Sequence, residues 1–129
     1  MEILHGIDIR VMEGEFVSIV GESGSGKSTL MNIIGLLDKP TTGDYLLDGI
    51  DAISTKDVEL SHIRNSKIGF VFQTYNLIAR TSAISNVELP MLYAGIAEKT
   101  RKNRAIELLK MVGMEKRMNH KPDELSGGQ

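Results

Sequence analysis

From Ile3 to Val11, hydrophobic and polar positions alternate. Ile3, Ile7, Ile9 and Val11 share one parity, while Asp8 and Arg10 take the other. That period predicts a half-buried strand. Glu13-Gly14-Glu15 punctuates a turn. Phe16-Val17-Ser18-Ile19-Val20 is a nearly continuous apolar run ending at Gly21, the pattern of a strand buried on both faces. Beyond Lys27 the period changes: Leu30, Ile33, Ile34 and Leu37 fall on one helical face, and Pro40 and Gly43 close that segment. Residues 44–47 before Asp48-Gly49 predict a strand entering a tight turn. Ser54-Thr55-Lys56-Asp57 reads as a helix-start box, with Leu60 and Ile63 as the apolar edge of the helix that follows. Ile68 to Phe72 predicts another buried strand. After Gln73 the character is helical: residues 86–93 carry Pro90, and Ala105, Leu108, Leu109 and Val112 form a stripe stopped by Gly113. Strands separated by helices predict an α/β fold with a parallel sheet at its centre.

Composition narrows the class without changing that picture. The 129 residues include 15 Lys and Arg against 17 Asp and Glu, a formal net charge of −2. Such a balance offers no bulk attraction to nucleic acid or to an anionic membrane. With 41% hydrophobic and 25% charged residues, the chain reads as globular rather than disordered. No apolar run reaches the ~18–20 residues that span a bilayer, and the first residues do not form a secretory signal. The absence of cysteine excludes disulfides, cysteine–zinc sites and a thiol nucleophile within these residues, and it fits a cytosolic setting.

The densest chemistry lies at Gly21-Glu22-Ser23-Gly24-Ser25-Gly26-Lys27-Ser28, which fits G-x-x-x-x-G-K-[ST]. An apolar run precedes the motif and a helical period follows, as the phosphate-binding reading requires. Glycines allow successive backbone N–H groups to turn toward phosphate oxygens. The helix beginning near Lys27 adds its N-terminal dipole and unpaired amides. Lys27 is placed to reach the β- and γ-phosphates, the Ser28 hydroxyl to ligate Mg²⁺, and Thr29 to reach the α-phosphate side. The competing reading, a Gly/Ser-rich surface turn, does not account for the flanking elements. The loop specifies a nucleoside triphosphate and leaves the reaction open.

A second motif is Leu125-Ser126-Gly127-Gly128-Gln129. Ser126 is a good N-cap residue, and the two glycines expose backbone amides, which makes a second anion-binding surface. A flexible tail of small residues is the plain alternative. With both motifs in hand, the whole sequence resembles the ATP-binding subunits of ABC transporters. Gly21–Ser28 resembles their Walker A loop, Gln73 their Q-loop glutamine, and Leu125–Gln129 their signature motif. Residues 23–33, 69–73 and 86–90 are most similar to the branch that includes lipoprotein release, macrolide export and antimicrobial-peptide export.

That resemblance implies a P-loop NTPase of ABC type: a partial parallel sheet, an antiparallel β subdomain and a helical subdomain. It places a nucleotide-binding core at 1–73 and a helical part with the signature motif at 74–129. It implies an ATPase with ATP and Mg²⁺ as cofactors, in which Lys27 and Gln73 serve the reaction and Ser28 and Gln73 hold the metal. Two copies would face head to tail, with Ser126, Gly127, Gly128 and Gln129 on the ATP of the partner. The helical part and Gln73 would face a membrane permease. The protein would lie in the cytoplasm, peripheral to the inner face of the membrane, with no nucleic-acid partner. The family places a Walker B aspartate, a catalytic glutamate and a switch histidine after the signature motif. His5, His62 and His120 all precede it, so none is that histidine. An adenine-stacking aromatic residue would precede Ile3. The expectation is therefore a fragment that binds ATP weakly, with negligible turnover and without the later strands of the sheet. A non-catalytic nucleotide-binding module and a soluble ABC ATPase stand as alternatives.

The remaining features read more plainly. Residues 98–104 are charge-dense and predict a solvated helix face. Met31 and Met111 sit in apolar patterns that predict core filling. Asp48 and Asp51 are turn residues without calcium-loop spacing.

Overall fold

The computed structural model describes residues 3–129. The chain divides into two compact units, Met1–Arg64 and Asn65–Gln129. The first unit holds helix α1, Lys27–Ile34, and a hairpin of strands β1, Leu46–Leu47, and β2, Ile50–Asp51. Helix α2, Asp57–Lys67, begins there and ends in the second unit. Helices α3, Ala83–Tyr93, and α4, Glu98–Met111, dominate the second unit.

The hairpin forms where the sequence places it. Leu46 pairs with Asp51 and Leu47 with Ile50, antiparallel. Asp48 and Gly49 both take positive φ, 51° and 77°. That combination matches the turn whose twist suits a two-residue hairpin. The helix-start box at Ser54 is not used as expected. The Ser54 hydroxyl donates 2.7 Å back to Asp51 Oδ2, and the Ile53 amide donates 2.9 Å to Asp51 Oδ1. Asp51 thus organises the exit from β2, and these hydrogen bonds, Ser54's first, hold its carboxyl below the ordinary carboxylate range.

Helix α1 ends earlier than Pro40, at Gly35. Carbonyls at and just beyond its end are met from elsewhere in the unit, because the end of a helix leaves acceptors without intrahelical partners. The Tyr45 hydroxyl donates 2.7 Å to Ile34 O, and Arg64 Nη1 donates 2.6 Å to Leu36 O. Partial burial raises the Tyr45 hydroxyl above its ordinary pKa. Leu36 adopts φ +57° and is buried with Ala52, Leu60 and Ile63. The left-handed backbone costs about 1–2 kcal/mol. Burying a leucine returns about 1.5–3 kcal/mol, so the burial offsets the strain.

The segments expected as central strands differ from the sequence reading. Among the described residues, the only paired strands are β1 and β2, and no parallel pair forms at Ile3–Val11, Phe16–Val20 or Ile68–Phe72. Phe16 is 96% exposed, Val20 85% and Val71 100%. The reason is physical. A buried strand is stabilised by neighbours on its hydrogen-bonding edges and by layers over its faces, and an apolar run without them stays uncovered.

In the second unit α3 packs against α4. Ala105 is fully buried, and Ala83, Leu109 and Met114 are buried as well. The charged run at residues 98–104 is not uniformly solvated: Arg101, half-buried, pairs at 3.7 Å with Glu88 of α3. Met31 and Met111 are exposed rather than core-filling, and Met114 takes that part instead. The stripe also loses Val112, which is 71% exposed. Helix α4 stops there because Gly113 turns to φ +73°. The Gly113 amide donates 3.0 Å to Lys110 O and the Met114 amide 2.7 Å to Leu109 O. This is a Schellman closure, with Met114 folded onto Leu109. A Cβ at Gly113 would meet nothing within 4 Å, so Gly113→Ala tests the backbone alone. The variant is expected to lose about 1–2 kcal/mol of stability in urea unfolding; an unchanged midpoint would show that α4 ends for another reason.

Candidate functional site

The phosphate loop lies in the first unit. Its shape follows from two glycines with left-handed φ, Gly24 at +81° and Gly26 at +88°. Gly26 has a second reason to lack a side chain. A Cβ there would sit 2.7 Å from Leu4 Cδ2 and 3.3 Å from Ile3 O. A Cβ at Gly21 would meet Ser25 Oγ at 2.7 Å. The loop is tied internally by the Ser25 amide donating 3.2 Å to Glu22 O.

Helix α1 starts at Lys27, and among the described residues the first helical amide with an acceptor is that of Leu30, bonded to Gly26 O at 2.9 Å. The amides of Lys27, Ser28 and Thr29 are therefore open at the positive end of the helix dipole. Lys27 folds over the loop. Its Nζ donates 2.6 Å to Glu22 O, 2.9 Å to Gly21 O and 3.3 Å to Ser25 Oγ. Glu22, Ser23, Gly24, Ser25 and Ser28 are exposed, and Thr29 is half-buried. The donor set is one ammonium, open amides and hydroxyls, which fits a polyphosphate anion.

Gln73 lies in the second unit, exposed, in a bend. The signature residues share that unit. Ser126 closes a turn: the Gln129 amide donates 2.9 Å to Ser126 O, and the Ser126 amide donates 3.0 Å to Gln129 Oε1. A short 3-10 turn, Pro122–Glu124, precedes it. There Glu124 Oε2 accepts the Lys121 amide at 2.7 Å, which gives that carboxylate a structural role. The His120 ring nitrogen Nε2 lies 2.9 Å from Arg117 Nη1, and its backbone carbonyl accepts the Ala83 amide at 2.9 Å.

Two residues escaped the motif reading. Tyr75 lies beside the signature turn, with its phenol oxygen 3.1 Å from where a Cβ on Gly127 would be. Asn86 braces the segment before α3, its side chain bonded to Ile78, Thr81 and Ser82. Neither spacing nor composition signals the first; the second opens a stretch that reads as helical and carries Pro90, with nothing in it to mark the asparagine as a brace. Among the described residues, no three His, Asp or Glu side chains converge as a metal cluster, and no helix is long and apolar enough to cross a membrane.

Residues 4–129 match the family model for the ABC transporter. An uncharacterized ABC transporter ATP-binding protein of Bacillus subtilis, YknY, is 58% identical over 99% of this chain and 56% of its own length. The macrolide export ATP-binding/permease protein MacB of Campylobacter fetus is 52% identical over 99% of this chain and 20% of its own. A solved dimeric, post-hydrolysis structure of the ATP-binding cassette MJ0796, bound to ADP and Pi, superposes with a TM-score of 0.86. It is 52% identical and covers 94% of this chain and 54% of its own; the relative of that name comes from Methanocaldococcus jannaschii. The fold is thus that of the ABC-type P-loop cassette. The chain spans about half the length of the curated relatives YknY and MJ0796.

Proposed function

The chain belongs to the ABC transporter family, and from that premise we propose that it is the ATP-binding part of an ABC exporter subunit. ATP binding and hydrolysis in that subunit would drive transport through a membrane permease. The observation that carries this reading is the phosphate loop, with Lys27 across its mouth and open amides at the start of α1. A polyphosphate would take over the hydrogen bonds that Gly21 O and Glu22 O accept from Lys27, and a charged acceptor holds an ammonium more strongly than a carbonyl does. Ser28 offers its hydroxyl to a nucleotide-borne Mg²⁺, and Gln73 is the second proposed ligand and the residue that would place the attacking water. Mg²⁺ would neutralise charge on the phosphates.

Ser126, Gly127, Gly128 and Gln129 would contact the nucleotide of a second copy, in a head-to-tail dimer. That proposal is supported by the dimeric form of the MJ0796 cassette. The ATP-binding/permease fusion in MacB supports a permease as the membrane partner, with the helical part and Gln73 facing it and the protein held at the inner face of the membrane. The site residues divide as nucleotide-gripping at 21–29 and partner-gripping at 126–129, within a core at 1–73 and a helical part at 74–129. The test is calorimetric titration with ATP, with and without Mg²⁺. Saturable, Mg²⁺-enhanced binding is the expected result. Heat equal to that of buffer would overturn the reading.

A further inference from the structure

The residue after Thr74 is placed to do more than fill space. Tyr75 follows Gln73 by two positions, and its phenol oxygen lies 3.1 Å from the place a Cβ on Gly127 would take. The same side chain lines a small cavity of about 10 Å³ with Leu77, Pro122, Leu125, Ser126 and Gln129. Its neighbour Asn76 takes φ +45°, a left-handed conformation that fixes the direction in which the chain leaves Tyr75. Beyond it, Asn86 and the caps of α3 hold residues 78–82 in place. The segment is thus pinned on its far side and touches the signature turn on its near side.

We propose that Tyr75 is a positioning residue that couples the Q-loop glutamine to the signature turn, by seating its phenol on Gly127. The coupling rests on the ATP-binding reading for its use, but the contact itself stands without nucleotide. Three features of the contact favour a mechanical role over simple packing. Tyr75 is 60% exposed, so its ring gains little from burial. Position 127 has no side chain, so the phenol oxygen takes the space a Cβ would need, and the ring shares its small cavity with Ser126 and Gln129 of the turn. Only Thr74 separates Tyr75 from Gln73, so a displacement of the glutamine has almost no slack to absorb it. The steric statement is equally specific. A Cβ at 127 would stand 3.1 Å from the phenol oxygen, tighter than ordinary contact. Gly127→Ala therefore displaces the tyrosine, and Tyr75→Phe, which removes the oxygen, relieves that displacement.

The experiment uses ¹⁵N-labelled chain without nucleotide. Gln73→Ala is expected to shift the Gly127 and Gly128 amide resonances in the wild-type background, and that shift is expected to be lost in a Tyr75→Ala background. Gly127→Ala should move the Gln73 amide, and Tyr75→Phe should restore its position. Circular dichroism and thermal melting identify any variant that loses its fold; Tyr75→Leu replaces Tyr75→Ala if that occurs. A Gly127 shift that is the same with and without Tyr75 overturns the proposal. Failure of ATP binding appears separately, as unmoved Gly24 and Gly26 resonances on adding MgATP, and leaves the nucleotide-free result decisive.

Discussion

Replacing Lys27 with alanine is expected to weaken MgATP binding by about 2–3 kcal/mol, roughly 30- to 150-fold in Kd. The magnitude follows from what the ammonium does. It lies over the loop, donating to Gly21 O and Glu22 O at 2.9 and 2.6 Å. Hydrogen bonds to charged groups contribute about 1.5–3 kcal/mol each, and a triphosphate offers two acceptors within its reach. The fold should be indifferent to the change. The two carbonyls are solvent-accessible and regain water when the lysine is gone, so the cost falls on binding. Lys27→Arg is expected to rescue poorly, since a planar fork does not replace a compact ammonium in a loop shaped around it. Calorimetry of both variants beside unfolding curves checks each half. An unchanged Kd in Lys27→Ala would remove the phosphate loop from the account.

The same residues show what a sequence can and cannot declare. The loop was legible because each part of it is local. Glycines at 24 and 26 take positive φ, Lys27 opens α1, and all the partners of Lys27 lie within six residues. The hairpin at 46–51 was legible for the same reason, since Asp48-Gly49 carries its turn geometry with it. The strands were misread because an apolar run states a preference for burial, not the presence of a neighbour. Phe16 and Val71 stay exposed where no second strand lies alongside. The helix-start box failed through local competition: Asp51, three residues upstream, takes the Ser54 hydroxyl before the helix can. Tyr75 was invisible because its partner is more than fifty positions away, at Gly127, and no period links them. Contacts of that separation are properties of the packed unit.

Asn86 gives the second large effect, and it bears on the same unit. Its Nδ2 donates 2.8 Å to Thr81 Oγ1 and 3.0 Å to Ser82 O, and its Oδ1 accepts the Ile78 amide at 2.8 Å. Longer contacts reach Thr81 O and Ile78 O. One half-buried amide thus satisfies both donor and acceptor groups of the turn that leads into α3. Asn86→Ala removes the three short bonds together. Each is worth about 1 kcal/mol net, so the loss is about 2–3 kcal/mol. Asn86→Asp separates the contributions. A carboxylate keeps the acceptor for the Ile78 amide but meets the Thr81 and Ser82 carbonyl oxygens with negative charge. It is therefore expected to be no better than alanine despite its matching shape. Hydrogen exchange localises the effect. Protection should fall at Ile78 and Ser85 before it falls within α4, because α4 keeps its own closure at Gly113 and Met114. If both variants melt with the wild-type chain and exchange at Ile78 is unchanged, Asn86 is not the brace, and the far anchor of the Tyr75 segment must be sought in the α3 cap at Ser82.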